Sequence, residues 1–95
     1  MRIIAGKFKG SLLHIPKNKN IRPLKDMTRE SIFNLLEHSN KILFKLKQSK
    51  VLDLYSGTGS FGLECLSRYA EKVYFIEKDE NGIEILKKNI EKLKI

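Results

Sequence analysis

The chain has 95 residues, 41% of them hydrophobic, a formal net charge of +8 and one cysteine. This length allows a single domain with a modest core, and no apolar run approaches the roughly 20 residues that cross a membrane. Cys65 has no partner for an internal disulfide or a cysteine-cluster metal site, so we expect it to pack on the inner face of a helix, and we expect no metal. Because the start of the chain lacks a long apolar segment, we expect a cytoplasmic protein with no membrane partner.

The positive charge is concentrated in the first half of the chain. Residues 1–50 carry twelve Lys and Arg against three acids, whereas residues 51–95 carry seven against eight. Residues 1–25 contain seven bases and no acid, which favours a polyanion such as RNA over the alternative of solvated lysines. The predicted RNA-binding residues are Arg2, Lys7, Lys9, Arg22 and Lys25.

Residues 1–25 are predicted to form a basic hairpin and arm, and residues 26–50 a helix and a connection. Apolar runs at 2–5 and 11–15 flank a glycine-bounded polar segment, which predicts a β-hairpin or a looser two-stranded arm. A helix is predicted from Asp26 or Thr28 to about His38, with Arg29 and Glu30 pointing away from its apolar stripe. Residues 41–47 alternate apolar and lysine positions and fit either a short strand or a helical turn.

Residues 51–95 are predicted to form a β-α-β-α unit with parallel strands. The strands are expected at 51–55 and 72–77, and the helices at 60–69 and from Asn81 onward. The first strand is apolar at nearly every position, which is typical of a strand that helices cover on both faces. In a doubly wound sheet its other neighbour comes from a later strand, so we expect an open edge that promotes self-association or requires a partner or a missing half.

Glycines follow the first strand at positions 57, 59 and 62, where they predict a nucleotide-holding turn before a helix. Glu77 comes twenty residues after Gly57, at the end of the second strand, where such folds keep an acid for ribose hydroxyls. Asp53 would repel a pyrophosphate but attract an ammonium group, so the two acids favour S-adenosylmethionine over NAD. The alternative is that the acids only cap the turn and the helix.

Six segments carry a family resemblance. They are spread along the whole chain and occur in the same order as in the family. The chain resembles the bacterial small-subunit ribosomal RNA guanine-N2 methyltransferases, the RsmD family. The segments are RIIAGKFKG at 2–10, IRP at 21–23, RESIFN at 29–34, VLDLYSGTGSFGLE at 51–64, LSR at 66–68 and IEKD at 76–79.

The resemblance implies an α/β, Rossmann-like S-adenosylmethionine-dependent methyltransferase fold, truncated after the second strand-helix unit and preceded by a hairpin that binds ribosomal RNA or the small ribosomal subunit. It implies that the loop cradles the methionine end of the cofactor and that Glu77 binds its ribose. The cofactor-binding residues expected on this basis are Asp53, Tyr55, Ser56, Gly57, Thr58, Gly59, Glu77 and Lys78.

The chain departs from the family at the catalytic motif, Asn/Asp-Pro-Pro-aromatic, which lies after a later strand. Pro16 and Pro23 are the only prolines and both precede the glycine turn, so we predict no catalytic residue in this chain. A smaller departure is Tyr69, where a glycine often ends the helix. We therefore expect the N-terminal part of a methyltransferase, inactive alone. The alternatives are a non-catalytic RNA-binding module and, less favoured, an NAD-binding Rossmann domain.

Overall fold

The computed structural model describes residues 1–15, 26–39, 41 and 45–95. The elements in chain order are helix α1 at Asp26–His38, strand β1 at Lys50–Leu54, helix α2 at Ser60–Ser67, strand β2 at Lys72–Ile76 and helix α3 at Glu80–Lys92. The strands pair in parallel, with Leu52 opposite Tyr74, as the β-α-β order requires. The arrangement is a small α/β domain that is consistent with part of a Rossmann-like fold.

The first fifteen residues form a two-stranded arm, which we call the arm from here on. Its strands meet at one antiparallel bridge between Arg2 and Leu12. The amide of Ile3 donates to the Ser11 carbonyl at 3.0 Å, and the Leu13 amide donates to the Met1 carbonyl at 2.9 Å. This is the looser form of the predicted hairpin. The predicted RNA contacts Arg22 and Lys25 lie outside the described residues.

Helix α2 packs on one face of the sheet, and α1, α3 and the arm join it in two apolar clusters. Phe33 of α1 stacks on Phe61 of α2, with ring centroids 4.9 Å apart, in a cluster that also holds Cys65 and Val51. A second cluster joins the arm, α2 and α3 through Ile3, Leu13, Leu63, Leu86 and Leu93. Because burial raises the pKa of the Cys65 thiol to about 12, this cysteine is a packing residue without an accessible thiolate.

The opposite face of the sheet is uncovered in the described part of the chain. Leu52, Leu54, Tyr74 and Ile76 are each about half exposed, at 49–59% of their full surface. Among the described residues helices therefore cover β1 on one face only, contrary to the prediction of helices on both faces, although the apolar residues that led to it are present. No described helix is long and apolar enough to cross a membrane.

Element boundaries differ from the predicted ones by at most two residues. The strand β1 ends at Leu54 because Tyr55 turns to a φ of 57°. The helix α2 ends at Ser67, and Tyr69 takes a φ of 75°, a left-handed conformation that favours glycine after a helix end. Arg29 is 0% exposed, contrary to the prediction that it points away from the core, because a buried carboxylate on α2 pairs with it.

Candidate functional site

A tight turn, residues 55–59, connects β1 to the N-terminus of α2 and is called the glycine turn here. The Gly59 amide donates to the Ser56 carbonyl at 2.8 Å, and the Ser56 amide donates to the Ile76 carbonyl at 3.0 Å. Gly59 is the N-cap of α2 with a φ of 85°, a conformation that strains residues with a Cβ. The turn is thereby held at the carboxyl end of both strands.

Glu77 holds the glycine turn from the end of β2. Its Oε1 accepts from the Gly57 amide at 2.7 Å, while Oε2 accepts from the amides of Lys78 and Asp79 at 3.0 and 2.9 Å. These backbone donors, first that of Asp79 and then that of Gly57, hold the pKa of Glu77 below its ordinary value. The twenty-residue spacing thus corresponds to a direct contact between the acid and the turn.

Asp53 lies in β1 beneath the same turn. Its Oδ2 accepts from the Gly62 amide at 3.1 Å, so it serves an otherwise unpaired donor in the first turn of α2. Burial raises the pKa of Asp53, the Gly62 hydrogen bond opposes that rise, and the charge of Glu77 adds to it. The capping contact that was the alternative explanation of Asp53 is present, and its predicted role in cofactor binding stays a prediction.

The other predicted cofactor residues occupy different positions around the turn. Tyr55 is 84% exposed and Lys78 is exposed, so both lie at the rim, whereas Thr58 is only 2% exposed. Ser56 and Gly57 lie between the two strand ends. In the described ranges no three His, Cys, Asp or Glu side chains are grouped as metal ligands.

The arm presents the predicted RNA-binding side chains to solvent. Arg2, Lys7 and Lys9 are exposed, and the Nζ of Lys7 lies 5.3 Å from the ring centre of Phe8 and 6.0 Å from that of Tyr69. A cavity of about 190 Å³ between the arm and α1 is lined in part by Arg2, Lys9 and Glu30. The described part of the predicted RNA surface therefore lies on a folded element with its cations accessible.

A buried carboxylate that sequence reasoning missed holds the arm on α2. Glu64 is 0% exposed, and its two oxygens accept from the amides of Ile4 and Ala5 at 2.9 and 3.1 Å. The Nε of Arg68 lies 2.9 Å from Glu64 Oε2, and the Nε of Arg29 lies 3.9 Å from Oε1. Arg29 also donates to the Arg2 carbonyl. The family segments around residues 29, 64 and 68 therefore meet in one ion cluster under the arm.

Asn89 of α3 is a second buried polar residue that sequence reasoning missed. It is 0% exposed and hydrogen-bonds both the backbone of His14 in the arm and the carbonyl of Thr58 in the glycine turn. A signal for it was present, because Asn89 lies one turn from Leu86 and from Leu93 on the apolar face of α3. A polar residue on such a face indicates a buried hydrogen-bonding role.

Comparison with known proteins gives consistent matches over the whole chain. A family model described as "Conserved hypothetical protein 95" matches residues 1–95. The chain is 40% identical over 94 residues to ribosomal RNA small subunit methyltransferase D of Haemophilus influenzae, which covers 99% of this chain and 46% of that protein. It is 37% identical over 94 residues to the Escherichia coli K12 protein of the same name, covering 44% of it.

Solved structures give the same result. A structure described as putative methyltransferase yhhF from Escherichia coli superimposes with a TM-score of 0.82 at 35% identity, over 99% of this chain and 47% of that one. The chain therefore spans about half the length of the relatives it matches, their N-terminal portion. With a family model across all 95 residues and these relatives, the chain belongs to the RsmD family of ribosomal RNA small subunit methyltransferases.

Proposed function

We propose that this chain is the N-terminal part of an S-adenosylmethionine-dependent methyltransferase that acts on a guanine exocyclic amine of small-subunit ribosomal RNA. In this proposal it supplies the cofactor turn and a basic RNA-binding arm. The observation that carries it is the 2.7 Å hydrogen bond from the Gly57 amide to Glu77, in a chain of the RsmD family. That contact places the acid expected to bind ribose beside the turn expected to hold the methionine end.

The charge at the turn supports S-adenosylmethionine over NAD. Asp53 and Glu77 lie close enough that the charge of Glu77 raises the pKa of Asp53. Two carboxylates in one site attract a ligand with an ammonium and a sulfonium group and disfavour a pyrophosphate. We infer that Asp53 Oδ1, which accepts no hydrogen bond from the described residues, faces the cofactor. We further infer that Tyr55, Ser56, Thr58, Gly59 and Lys78 complete the binding loop.

The exposed cations of the arm support ribosomal RNA as the partner. Residues 1–15 contain Arg2, Lys7 and Lys9 and no acid, so the surface attracts phosphates at low ionic strength. We expect Arg22 and Lys25 to extend this surface. Because Glu64 holds the arm backbone through two amides, the cations are presented from a fixed platform.

We infer that methyl transfer to guanine requires groups beyond those of this chain. An exocyclic amine needs acceptors for its hydrogens and an aromatic residue to stack on the flipped base. We infer that these come from a further polypeptide segment, which also packs on the uncovered face of Leu52, Leu54, Tyr74 and Ile76. A second copy of the chain is the competing occupant of that face.

Calorimetry with the 95-residue chain tests the proposal. We expect S-adenosylmethionine to bind, NAD to give no heat, and Glu77→Ala to weaken binding by at least tenfold. Incubation with labelled S-adenosylmethionine and undermethylated small subunits should label no RNA unless a C-terminal fragment carrying the missing motif is added. Salt-dependent RNA binding without any heat from S-adenosylmethionine would support the non-catalytic RNA-binding module instead.

A further inference from the structure

Asn89 is bonded to the arm and to the glycine turn at the same time. Its Oδ1 accepts from the amide of His14 at 2.6 Å, and its Nδ2 donates to the His14 carbonyl at 3.2 Å and to the Thr58 carbonyl at 3.2 Å. These three bonds join residues that are 31 and 75 positions away from Asn89. One buried amide therefore satisfies backbone groups of two predicted binding surfaces.

The amide has a single orientation that satisfies all three partners. An inverted amide would place its NH2 group against the His14 amide and its oxygen against two carbonyls. Leaving buried donors and acceptors unpaired is destabilising, so the inverted orientation is disfavoured. The position of the His14 backbone thus determines the orientation of the Asn89 side-chain amide. That amide in turn stabilises the Thr58 carbonyl in the direction that points toward its Nδ2.

The Thr58 carbonyl and the Gly59 amide belong to one planar peptide group, so holding the carbonyl also orients the amide. That amide donates to the Ser56 carbonyl and closes the turn. The neighbours of Thr58 are Gly57 and Gly59, which restrict the backbone less than other residues do. The contact from Asn89 therefore orients a peptide group between two glycines, in addition to the bonds that Glu77 and Ser56 make to the turn.

We propose that Asn89 is a positioning residue that couples the arm to the glycine turn, so that RNA on the arm and S-adenosylmethionine at the turn each raise the affinity for the other. The inference rests on the proposed function, since it takes these two ligands from it. Coupling of this kind is reciprocal by thermodynamic necessity. If the arm is displaced, the His14 backbone moves away from Asn89. The side-chain amide of Asn89 is then no longer oriented by His14, and its hydrogen bond to the Thr58 carbonyl is weakened.

The test is a titration of the 95-residue chain with S-adenosylmethionine, with and without a short single-stranded RNA. Asn89→Asp keeps the size of the side chain and its acceptor for the His14 amide but removes the Nδ2 donor to both the Thr58 and the His14 carbonyls. Lys92→Met is the matched control, because the Nζ of Lys92 holds the arm from the same helix at the Leu12 carbonyl, 2.5 Å away, without contacting the turn. We expect RNA to raise cofactor affinity about fivefold or more in the wild type and the control. In Asn89→Asp we expect RNA to leave the affinity for S-adenosylmethionine unchanged.

Hydrogen exchange of the wild-type chain tests the inference without any substitution. S-adenosylmethionine should slow exchange of the His14 amide, which is bonded to Asn89, more than that of the Ile4 amide, which is bonded to Glu64. Equal effects on the two amides, or an unchanged RNA factor in Asn89→Asp, would overturn the coupling.

If the wild type binds no S-adenosylmethionine, the proposed function fails by itself. The coupling then stands only if RNA slows exchange of the Gly59 amide in the wild type and not in Asn89→Asp. If RNA does not change the exchange rate of the Gly59 amide, the coupling between the arm and the glycine turn is overturned.

Discussion

Glu64 and Arg68 form a buried ion pair one helical turn apart, with Arg68 Nε 2.9 Å from Glu64 Oε2. The pair is part of the platform under the arm, since the same carboxylate accepts the amides of Ile4 and Ala5. The basic arm therefore depends on the α2 helix, which also begins at the glycine turn. The predicted cofactor turn lies at the N-terminus of α2, and the arm with the predicted RNA surface is held by residues farther along the same short helix.

We expect Glu64→Gln to lower the free energy of unfolding by about 3–5 kcal/mol, because it removes a buried negative charge that lies 2.9 Å from Arg68 Nε and 3.9 Å from Arg29 Nε. Glu37→Gln is the matched control, since Glu37 contacts the same Arg68 at 3.4 Å from a partly exposed position. That change should cost less than about 1 kcal/mol. Urea unfolding of both variants measures the difference, and equal losses would contradict a special role for Glu64.

Gly6 and Gly10 offer a second matched pair within the arm. Both have positive φ, 88° and 86°, but a Cβ at Gly6 would lie 1.9 Å from the Ser67 carbonyl oxygen, whereas nothing lies within 4 Å of one at Gly10. Gly6→Ala should therefore lower the melting temperature clearly more than Gly10→Ala, which carries only the backbone strain of about 1 kcal/mol. Calorimetric melting of the two variants measures this, and equal shifts would show that the arm does not approach Ser67 closely.

Asp53→Asn should stabilise the folded chain at neutral pH while weakening cofactor binding about tenfold. Folding raises the pKa of Asp53, so its contribution to stability is fully present below its ordinary value of 3.8 and is lost as pH rises through the raised value. Asparagine keeps an acceptor for the Gly62 amide and carries no charge. The gap in melting temperature between the variant and the wild type should open as pH rises above about 4. A difference in melting temperature that stays constant from pH 3 to 7 would contradict the view that ionisation of Asp53 destabilises the folded chain.

The uncovered sheet face should make the isolated chain self-associate. Leu52→Lys places a charge in the middle of that face and should weaken association by at least tenfold, because the exposed apolar area drives it. Leu12→Lys is the control, as Leu12 is 62% exposed in the arm, away from the sheet. Sedimentation equilibrium measures both, and a wild type that stays monomeric at high concentration would contradict the prediction.

Much of the candidate site was predictable from local pattern. The apolar runs that end at Leu54 and Ile76, with glycines after the first, predicted the parallel pair and the turn between β1 and α2. The spacing from Gly57 predicted an acid, Glu77, at the end of the second strand, and the structure adds that this acid accepts from the Gly57 amide at 2.7 Å. These features depend on residues close in sequence or on the geometry of a parallel β-α-β unit, in which the ends of adjacent strands lie side by side.

The sequence by itself determined the order and type of the elements, the charge of the arm and the presence of a glycine turn between β1 and α2. Periodicity, charge and glycine spacing can be read locally, without knowledge of distant contacts. Only the tertiary structure decided that Arg29 is buried, that Glu64 holds the arm and that Asn89 joins the arm to Thr58. Each of these depends on contacts between residues 31 to 75 positions apart, whose partners no local pattern names. The uncovered face of β1 was decided the same way, because an apolar strand looks the same in sequence whether or not a second layer covers it.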